Sequence, residues 1–340
     1  MYSSLVSMAA DSFWSMKKDL HRYVDDVVDV RRVGDESAVV TAEHSTAADL
    51  ADIAASEPLP FLRHVTEVIA EYDPVEEGFD SVADRVARFL RDETDQTAVS
   101  LQTWLDGKVP YRFNRHEEWG SARDLLSDRG FDVSRVGAEW VVSICHTPDT
   151  VVVGLNRAED SLSTWPGGQV RLARTPDQVS RAEFKLEELL QYVSLQASPG
   201  SLALDYGAAP GGWSRILAER GFEVTAVDPG DLDERVLDLP LVRHERTTAG
   251  NFLRDAKDRF DLIVNDMKMS PARSSRLMLD SRKVLKPSGR CVVTLKTGNR
   301  HVLPQLQESF GILRKGFTVE FARQLRHNRN EITVVLRNKG

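Results

Sequence analysis

The half of the chain from residue 179 to residue 340 alternates short apolar segments with longer amphipathic ones. SLALDY, EVTAVD, LVRHER, FDLIVND and RCVVTLK have the length and apolar content of buried strands, and segments with helical periodicity stand between most of them. This alternation indicates a parallel sheet that is covered by helices on both faces. The last two apolar segments, GFTVEFARQL and EITVVLR, are separated by HNRN and predict an antiparallel hairpin. We therefore expect an α/β fold whose mostly parallel sheet has seven strands and ends in this hairpin.

Two stretches rich in turn-forming residues divide the remainder of the chain. EYDPVEEGFD, around residues 71–80, is acidic and contains a proline and a glycine, so it predicts a linker. SLSTWPGGQVRLARTPDQ predicts the connection into the C-terminal half. A chain of 340 residues has room for two or three domains. We predict an α+β module over residues 1–72, a second one over residues 73–165, and the α/β domain over residues 166–340.

The two halves of the chain carry opposite net charge. Residues 1–170 contain 16 Lys and Arg against 31 Asp and Glu, whereas residues 171–340 contain 28 against 21. The basic excess is concentrated in residues 271–340, with 15 basic against 4 acidic side chains. Such a segment favours a polyanionic partner, because contacts to phosphates release counterions. A basic face that is only solvated is the alternative interpretation.

Several classes of protein are excluded by the composition. Hydrophobic residues make up 41% of the chain and charged residues 28%, as in ordinary globular proteins rather than collagen-like or disordered ones. No apolar run approaches the roughly 18 residues that a membrane-spanning helix needs. The N-terminal segment has no basic region ahead of an apolar core, so no secretory signal is predicted. Cys145 and Cys291 stand in apolar runs, and we expect buried, reduced thiols in a cytoplasmic protein.

A glycine-rich turn, GAAPGG, follows the strand SLALDY and opens a helix at Trp213. Small residues let a ligand approach the backbone, and the start of the helix offers N–H donors. The next strand, EVTAVD, ends in Asp228, where a carboxylate can accept hydrogen bonds from two ribose hydroxyls. The spacing matches neither the G-x-G-x-x-G dinucleotide fingerprint nor a P-loop. Together the turn and the acid predict a site for an adenosine-bearing cofactor.

The segment DYGAAPGGW, from Asp205 to Trp213, resembles motif I of the FtsJ/RrmJ-type S-adenosylmethionine-dependent RNA ribose 2′-O-methyltransferases. SLSTWPGG, SRAEFKLEE and ARQLRHNRNEITV are most similar to the RlmM family, which methylates a cytidine ribose in 23S rRNA. The resemblance covers residues 161–340 and implies a Rossmann-like methyltransferase fold for that half. Residues 80–160 are loosely similar to the THUMP-type RNA-binding module that members of this family carry, so the resemblance implies an RNA partner, namely large-subunit rRNA.

The resemblance also implies the functional residues. The family has a K-D-K-E tetrad, and this chain supplies its members in order as Lys185, Asp266, Lys296 and Glu331. The implied cofactor is S-adenosylmethionine, and no metal ion is expected. The implied cofactor-binding residues are Asp205, Gly207, Ala208, Ala209, Pro210, Gly211, Gly212, Trp213, Asp228, Ala249, Asn251 and Asp266.

The chain departs from the family pattern at three places, the first of which is Tyr206, where the family usually has Leu. The loop that usually supplies an acid near the adenine is TTAGNFL here, and counting back from Asp266 puts Ala249 at that position. Backbone contacts from Ala249, or the side chain of Asn251, would have to replace the acid. The serine that precedes the first lysine of the tetrad by three residues is replaced by Ala182.

Methyl transfer to a ribose hydroxyl requires a base, because a hydroxyl is a poor nucleophile. We expect this base to be Lys296, which ends a central strand where ligands of open α/β sheets bind. Burial and the nearby ammonium of Lys185 are both expected to lower its pKa from the usual value of about 10.4. In this hypothesis Asp266 orients Lys296 and stands near the methyl donor, and Glu331 holds Lys185.

The arginine-rich segment before the last strand is a candidate RNA contact, through Arg323, Arg326, His327 and Arg329. Arg282, Lys283, Lys286 and Arg290 instead cluster at a helix end, where basic side chains complement the helix dipole. Two other functions are compatible with the fold. One is an RNA-binding or ribosome-assembly factor with weak or no catalysis, and the other is a small-molecule methyltransferase, which the basic segment and the lysine pair disfavour.

Overall fold

A computed structural model describes residues 1–57 and 59–340, and the chain divides into two compact units, Met1–Val170 and Arg171–Gly340. The division lies inside the predicted connection at residues 161–178. Each unit is built on its own sheet. No helix within the described residues has both the length and the apolar character that crossing a bilayer requires.

The first unit contains an eight-stranded mixed sheet with the order β2-β3-β1-β4-β8-β7-β5-β6. Its strands are β1 (Tyr2–Ser7), β2 (Val27–Arg32), β3 (Ser37–Ala42), β4 (His64–Tyr72), β5 (Ala98–Leu105), β6 (Asp132–Ser134), β7 (Trp140–His146) and β8 (Val151–Arg157). Its helices are α1 (Phe13–Tyr23), α2 (Ala47–Ser56), α3 (Asp80–Glu93) and α4 (Arg115–Ser127). The amphipathic segment SVADRVARFLRDE lies in α3, which buries Val82, Val86 and Leu90 in the core of this unit.

The predicted linker at residues 71–80 lies within this unit. Strand β4 pairs with β1 on one side and with β8 on the other, both antiparallel. One sheet therefore contains strands from both predicted N-terminal modules, residues 1–72 and 73–165. The acidic segment after Tyr72 connects β4 to α3.

The second unit contains a seven-stranded sheet with the order β11-β10-β9-β12-β13-β15-β14. Its strands are β9 (Leu202–Tyr206), β10 (Glu223–Val227), β11 (Val242–Glu245), β12 (Phe260–Asn265), β13 (Leu285–Lys296), β14 (Phe317–Arg323) and β15 (Glu331–Asn338). Its helices are α5 (Glu183–Leu189), α6 (Gly212–Glu219), α7 (Glu234–Leu237), α8 (Ala249–Asp255), α9 (Pro271–Asp280) and α10 (Val302–Leu313). The first five strands in chain order are parallel, and β15 pairs antiparallel with both β13 and β14. The predicted Rossmann-like sheet with its terminal hairpin is confirmed.

The amphipathic pattern of SRLMLDSRKVLK, residues 275–286, predicts a helix over the whole segment, and the observed helix is shorter. Helix α9 ends at Asp280, a 3-10 turn covers Ser281–Val284, and the chain enters β13 at Leu285. Buried Val284 and Leu285 lie at this transition, so the apolar end of the predicted helix belongs to the turn and the strand.

Helices α5 and α6 pack in the same core cluster of the second unit. Leu186 of α5 and Ile216 and Leu217 of α6 are buried against strand residues such as Val264 and Val292. Burying each of these side chains contributes about 1.5–3 kcal/mol. Both helices are thereby fixed over the central strands, whose carboxyl ends meet at one edge of the sheet.

Candidate active site

The topology of the second unit brings the four predicted tetrad residues to one place. Asp266 directly follows β12, and Lys296 ends β13, which is the neighbouring parallel strand. In the antiparallel pair of β13 and β15, Lys296 lies opposite Glu331. Lys185 reaches the same place from α5.

The four side chains form a closed cluster of alternating charge. Lys296 Nζ lies 2.7 Å from Asp266 Oδ1 and 2.8 Å from Glu331 Oε2. Lys185 Nζ lies 3.1 Å from each oxygen of Asp266 and 2.6 Å from Glu331 Oε1. Each carboxylate thus contacts both ammonium groups, rather than one each as the sequence hypothesis had paired them. The four side chains are 9–21% exposed, so the cluster is mostly buried but still in contact with solvent.

The expected lowering of the Lys296 pKa is wrong. Burial does lower this pKa, but the charges and hydrogen bonds of Asp266 and Glu331 outweigh burial, so the pKa lies above its usual value. The sequence argument counted burial and the second ammonium and omitted that both carboxylates lie within 3 Å of Lys296 Nζ. At neutral pH the resting form of Lys296 is therefore the ammonium.

Thr294 belongs to the site and was missed from the sequence. Its hydroxyl, which is buried, donates a hydrogen bond of 2.6 Å to Asp266 Oδ1. That oxygen therefore accepts hydrogen bonds from Thr294, Lys296 and Lys185, which fixes the orientation of the carboxylate. The sequence could have indicated Thr294, because residues two apart on a strand face the same side of the sheet and Thr294 precedes Lys296 by two.

A buried ion pair positions the helix that carries Lys185. Glu183, which is fully buried, accepts backbone N–H hydrogen bonds from Val179 and Ser180 at 2.7 and 2.9 Å. Its other oxygen accepts from Arg215 of α6, whose Nε lies 3.1 Å away. The Glu183 carboxylate therefore links residues 179–180, helix α5 and helix α6. The sequence analysis did not identify this role.

The motif I turn, GAAPGG at residues 207–212, has a backbone conformation that requires glycine at two positions. Gly207 and Gly211 have φ values of 70° and 111°, which favour glycine. A Cβ at Gly207 would lie 2.2 Å from Met267 Cγ, and one at Gly211 would lie 2.8 Å from a methyl group of Val236. The turn therefore tolerates no larger residue at either position.

Asp205 and Trp213 are held inside the unit. Asp205 is buried, and its Oδ2 accepts a 2.7 Å hydrogen bond from the hydroxyl of Ser214. Burial raises the pKa of Asp205 to about 7, although the Ser214 bond acts in the opposite direction. Trp213 packs in the core and donates from Nε1 to the carbonyl of Ala182 at 2.7 Å. Asp205 thus connects β9 to α6 through Ser214, and Trp213 connects α6 to the residue that precedes α5.

Asp228 lies against the motif I turn, as an adenosine site requires. Its Oδ2 accepts a hydrogen bond from the N–H of Ala209 at 3.2 Å, and Oδ1 accepts from Gly230 at 2.7 Å. The side chain is partly exposed, so its remaining lone pairs are available to ribose hydroxyls. Asp228 supplies acceptors beside the small residues of the turn, and the N–H groups at the start of α6 are donors, as an adenosine-bearing group needs.

Ala249 and Asn251 lie in the first turn of α8, which Thr248 caps. Ala249 is partly buried and Asn251 is exposed. Asn251 Oδ1 accepts a hydrogen bond from Arg254 at 3.2 Å. The cofactor role of both residues stays a prediction. Among the described residues, no group of His, Cys, Asp and Glu is arranged to hold a metal ion.

Arg323 is wrongly predicted as an RNA contact. It is 9% exposed, and its guanidinium packs 4.8 Å from the ring centroid of Tyr192 and 5.1 Å from that of Phe321. The side chain is thus enclosed between aromatic rings at the end of β14. Arg326 and Arg329 are exposed on the following loop.

Comparison with known proteins finds similarity in sequence. The model of the FtsJ-like methyltransferase family matches residues 178–338. Ribosomal RNA large subunit methyltransferase M of Alkalilimnicola ehrlichii is 34% identical over 294 residues, which cover 82% of this chain and 78% of that protein. The proteins of the same name from Halorhodospira halophila and Pseudomonas paraeruginosa are 36% and 35% identical, over 51% and 55% of both chains. The matched part spans about half the length of these two relatives. The crystal structure of TrmN from Thermus thermophilus covers 99% of this chain at 16% identity with a TM-score of 0.42, values too low to support an inference.

Proposed function

Because this chain belongs to the ribosomal RNA large subunit methyltransferase M family, we propose that it transfers a methyl group from S-adenosylmethionine to a ribose 2′-hydroxyl of large-subunit rRNA. The observation that carries this proposal is the cluster of Lys185, Asp266, Lys296 and Glu331 in the unit that also contains the motif I turn. The N-terminal unit would present the RNA, as the loose resemblance of residues 80–160 to a THUMP-type module implies.

The hydrogen bond from the N–H of Ala209 to Asp228 supports the proposal that the motif I turn and Asp228 bind the cofactor together. The motif I turn would lie along the cofactor, and Asp228 would accept hydrogen bonds from its ribose. When bound, S-adenosylmethionine supplies an electrophilic methyl group on a positively charged sulfur. The protein then has to hold the accepting hydroxyl in line with that group and take up its proton.

Lys296 is the proposed acceptor of the hydroxyl proton. Its ammonium first loses a proton to solvent, which reaches the side chain because that is 21% exposed. The neutral amine then has a lone pair for the proton of the 2′-hydroxyl. Asp266 and Glu331 hold the amine in place and stabilise the ammonium that forms again. Lys185 balances the second negative charge of the cluster, so neither carboxylate is left unpaired in a partly buried site.

The raised pKa of Lys296 has a kinetic consequence. Since the neutral amine is the minor form at neutral pH, we expect kcat/KM for RNA to rise nearly tenfold per pH unit between about pH 6.5 and 9. Glu331→Gln removes one of the carboxylates that raise this pKa, so the rising limb should move to lower pH even though the maximal rate falls. If the rising part of the kcat/KM profile lies at the same pH in the wild-type and Glu331→Gln enzymes, a group other than Lys296 is titrating.

The proposed function is tested with tritiated S-adenosylmethionine and rRNA from a strain that lacks the gene. We expect label in large-subunit rRNA, and a labelled nucleotide whose 3′ phosphodiester resists alkali because its 2′ oxygen is methylated. Label on a base would refute the ribose specificity. RNA binding without any transfer would instead support the non-catalytic assembly factor.

A further inference from the structure

The loop between β14 and β15, residues 324–330, has a fixed conformation. The amide of Gln324 donates a 2.8 Å hydrogen bond across the loop to the carbonyl of Arg329. The carbonyl of Asn330 accepts the backbone N–H of Thr297 at 3.0 Å, next to Lys296. The loop is therefore anchored beside the tetrad.

A buried carboxylate holds the middle of this loop. Glu188 is 1% exposed and accepts the backbone N–H groups of Arg326 and His327 at 2.6 and 2.8 Å. The ring Nδ1 of His327 lies 2.6 Å from Glu188 Oε2. Glu188 lies on α5 three residues after Lys185. The helix therefore fixes both the backbone of the loop and the orientation of the His327 imidazole.

The imidazole of His327 stacks on the ring of Phe184, which immediately precedes Lys185. The ring centroids are 5.1 Å apart and the planes meet at 29°. Phe184 is half-buried, and 21% of the His327 side chain is exposed. Its Nε2 has no hydrogen-bond partner within residues 1–57 and 59–340. We call Phe184 and His327 the aromatic shelf.

We propose that the aromatic shelf binds an unpaired base of the RNA by stacking, next to the ribose that is methylated, while Arg326 and Arg329 contact the adjoining phosphates. This inference rests on the proposed function. Sequence-specific RNA recognition uses unstacked bases that lie on aromatic side chains, and the exposed arginines of the same loop supply the phosphate contacts. The shelf is held rigid before RNA arrives, so little ordering cost opposes binding. Phe184 is the residue before Lys185, and the loop of His327 is hydrogen-bonded to Thr297, the residue after Lys296, so a base on the shelf would lie beside the tetrad.

The test compares Phe184→Leu and His327→Ala with the wild-type protein, using a single-stranded RNA that contains the target and a fixed salt concentration. Losing one stacking contact should raise the Kd for RNA about tenfold, with the KM for RNA rising in parallel. The kcat at saturating RNA and the affinity for S-adenosylmethionine should change less than about twofold. His327→Phe, which keeps a ring on the shelf, should stay within about threefold of wild type.

Phe252→Leu is the matched control, because Phe252 is also half-buried on a helix and packs near a second ring, that of Phe260. It should bind RNA like the wild-type protein. Wild-type Kd values in Phe184→Leu and His327→Ala would overturn the shelf. A wild-type protein that binds RNA but transfers no methyl group would overturn the proposed function alone, and the Kd values would still decide the shelf.

Discussion

Lys296→Arg should reduce methyl transfer by about 10²–10⁴-fold while S-adenosylmethionine binds with nearly unchanged affinity. Arginine keeps a positive charge between Asp266 and Glu331, but its guanidinium does not give up a proton at accessible pH. The substitution therefore removes the base and preserves the charge balance of the cluster. Loss of general base catalysis has this size in other enzymes. Single-turnover rates of methyl transfer, with cofactor affinity from calorimetry, measure both quantities.

Lys296→Ala should be equally inactive, and its cofactor affinity should also be retained. Lys283→Ala is the control, because Lys283 is an exposed lysine on the 3-10 turn after α9 and should leave the rate within about twofold. Turnover near the wild-type rate in Lys296→Arg would refute Lys296 as the base.

Glu183→Ala should destabilise the protein by about 3–5 kcal/mol. The substitution leaves the largely buried Arg215 without its main carboxylate and removes the acceptor of the Val179 and Ser180 N–H groups. Breaking a buried pair by removing one partner has a cost of this size, because Arg215 stays buried with the half-exposed Glu219 as its remaining ionic partner. Urea denaturation of the full chain, followed by circular dichroism, gives the shift in midpoint.

Glu187→Ala is the matched control one turn further along α5. Glu187 is only partly buried, and we expect its loss to change the free energy of unfolding by less than about 1 kcal/mol. Equal shifts in both variants would show that Glu183 contributes through helix formation rather than through Arg215.

Much of the second unit was predictable because its signals are local. The alternation of apolar and amphipathic segments gave the strands in order, and GAAPGG marked the turn before α6. The convergence of the tetrad followed from a family resemblance rather than from any local pattern. Its finer geometry depends on the register of β13 against β15, which opposes Lys296 and Glu331. No local signal sets that register, so the raised pKa of Lys296 could not be anticipated.

The first unit was less predictable because its sheet depends on distant pairing. The turn-forming residues after Tyr72 predicted a linker between two modules, and the segment is an irregular connection within one unit. Such residues contain no information about the partners of β4. On one side that strand pairs with residues 79 to 88 positions later in the chain. Glu183 was missed for a related reason, since its partner Arg215 is 32 residues away.

The position of β15 between β13 and β14 has a consequence for the order of events during synthesis. The strand that contributes Glu331 is made after both of its neighbours, so it has to enter a gap between them. Glu331 pairs with both lysines of the cluster, so the tetrad is complete only after this strand has joined the sheet.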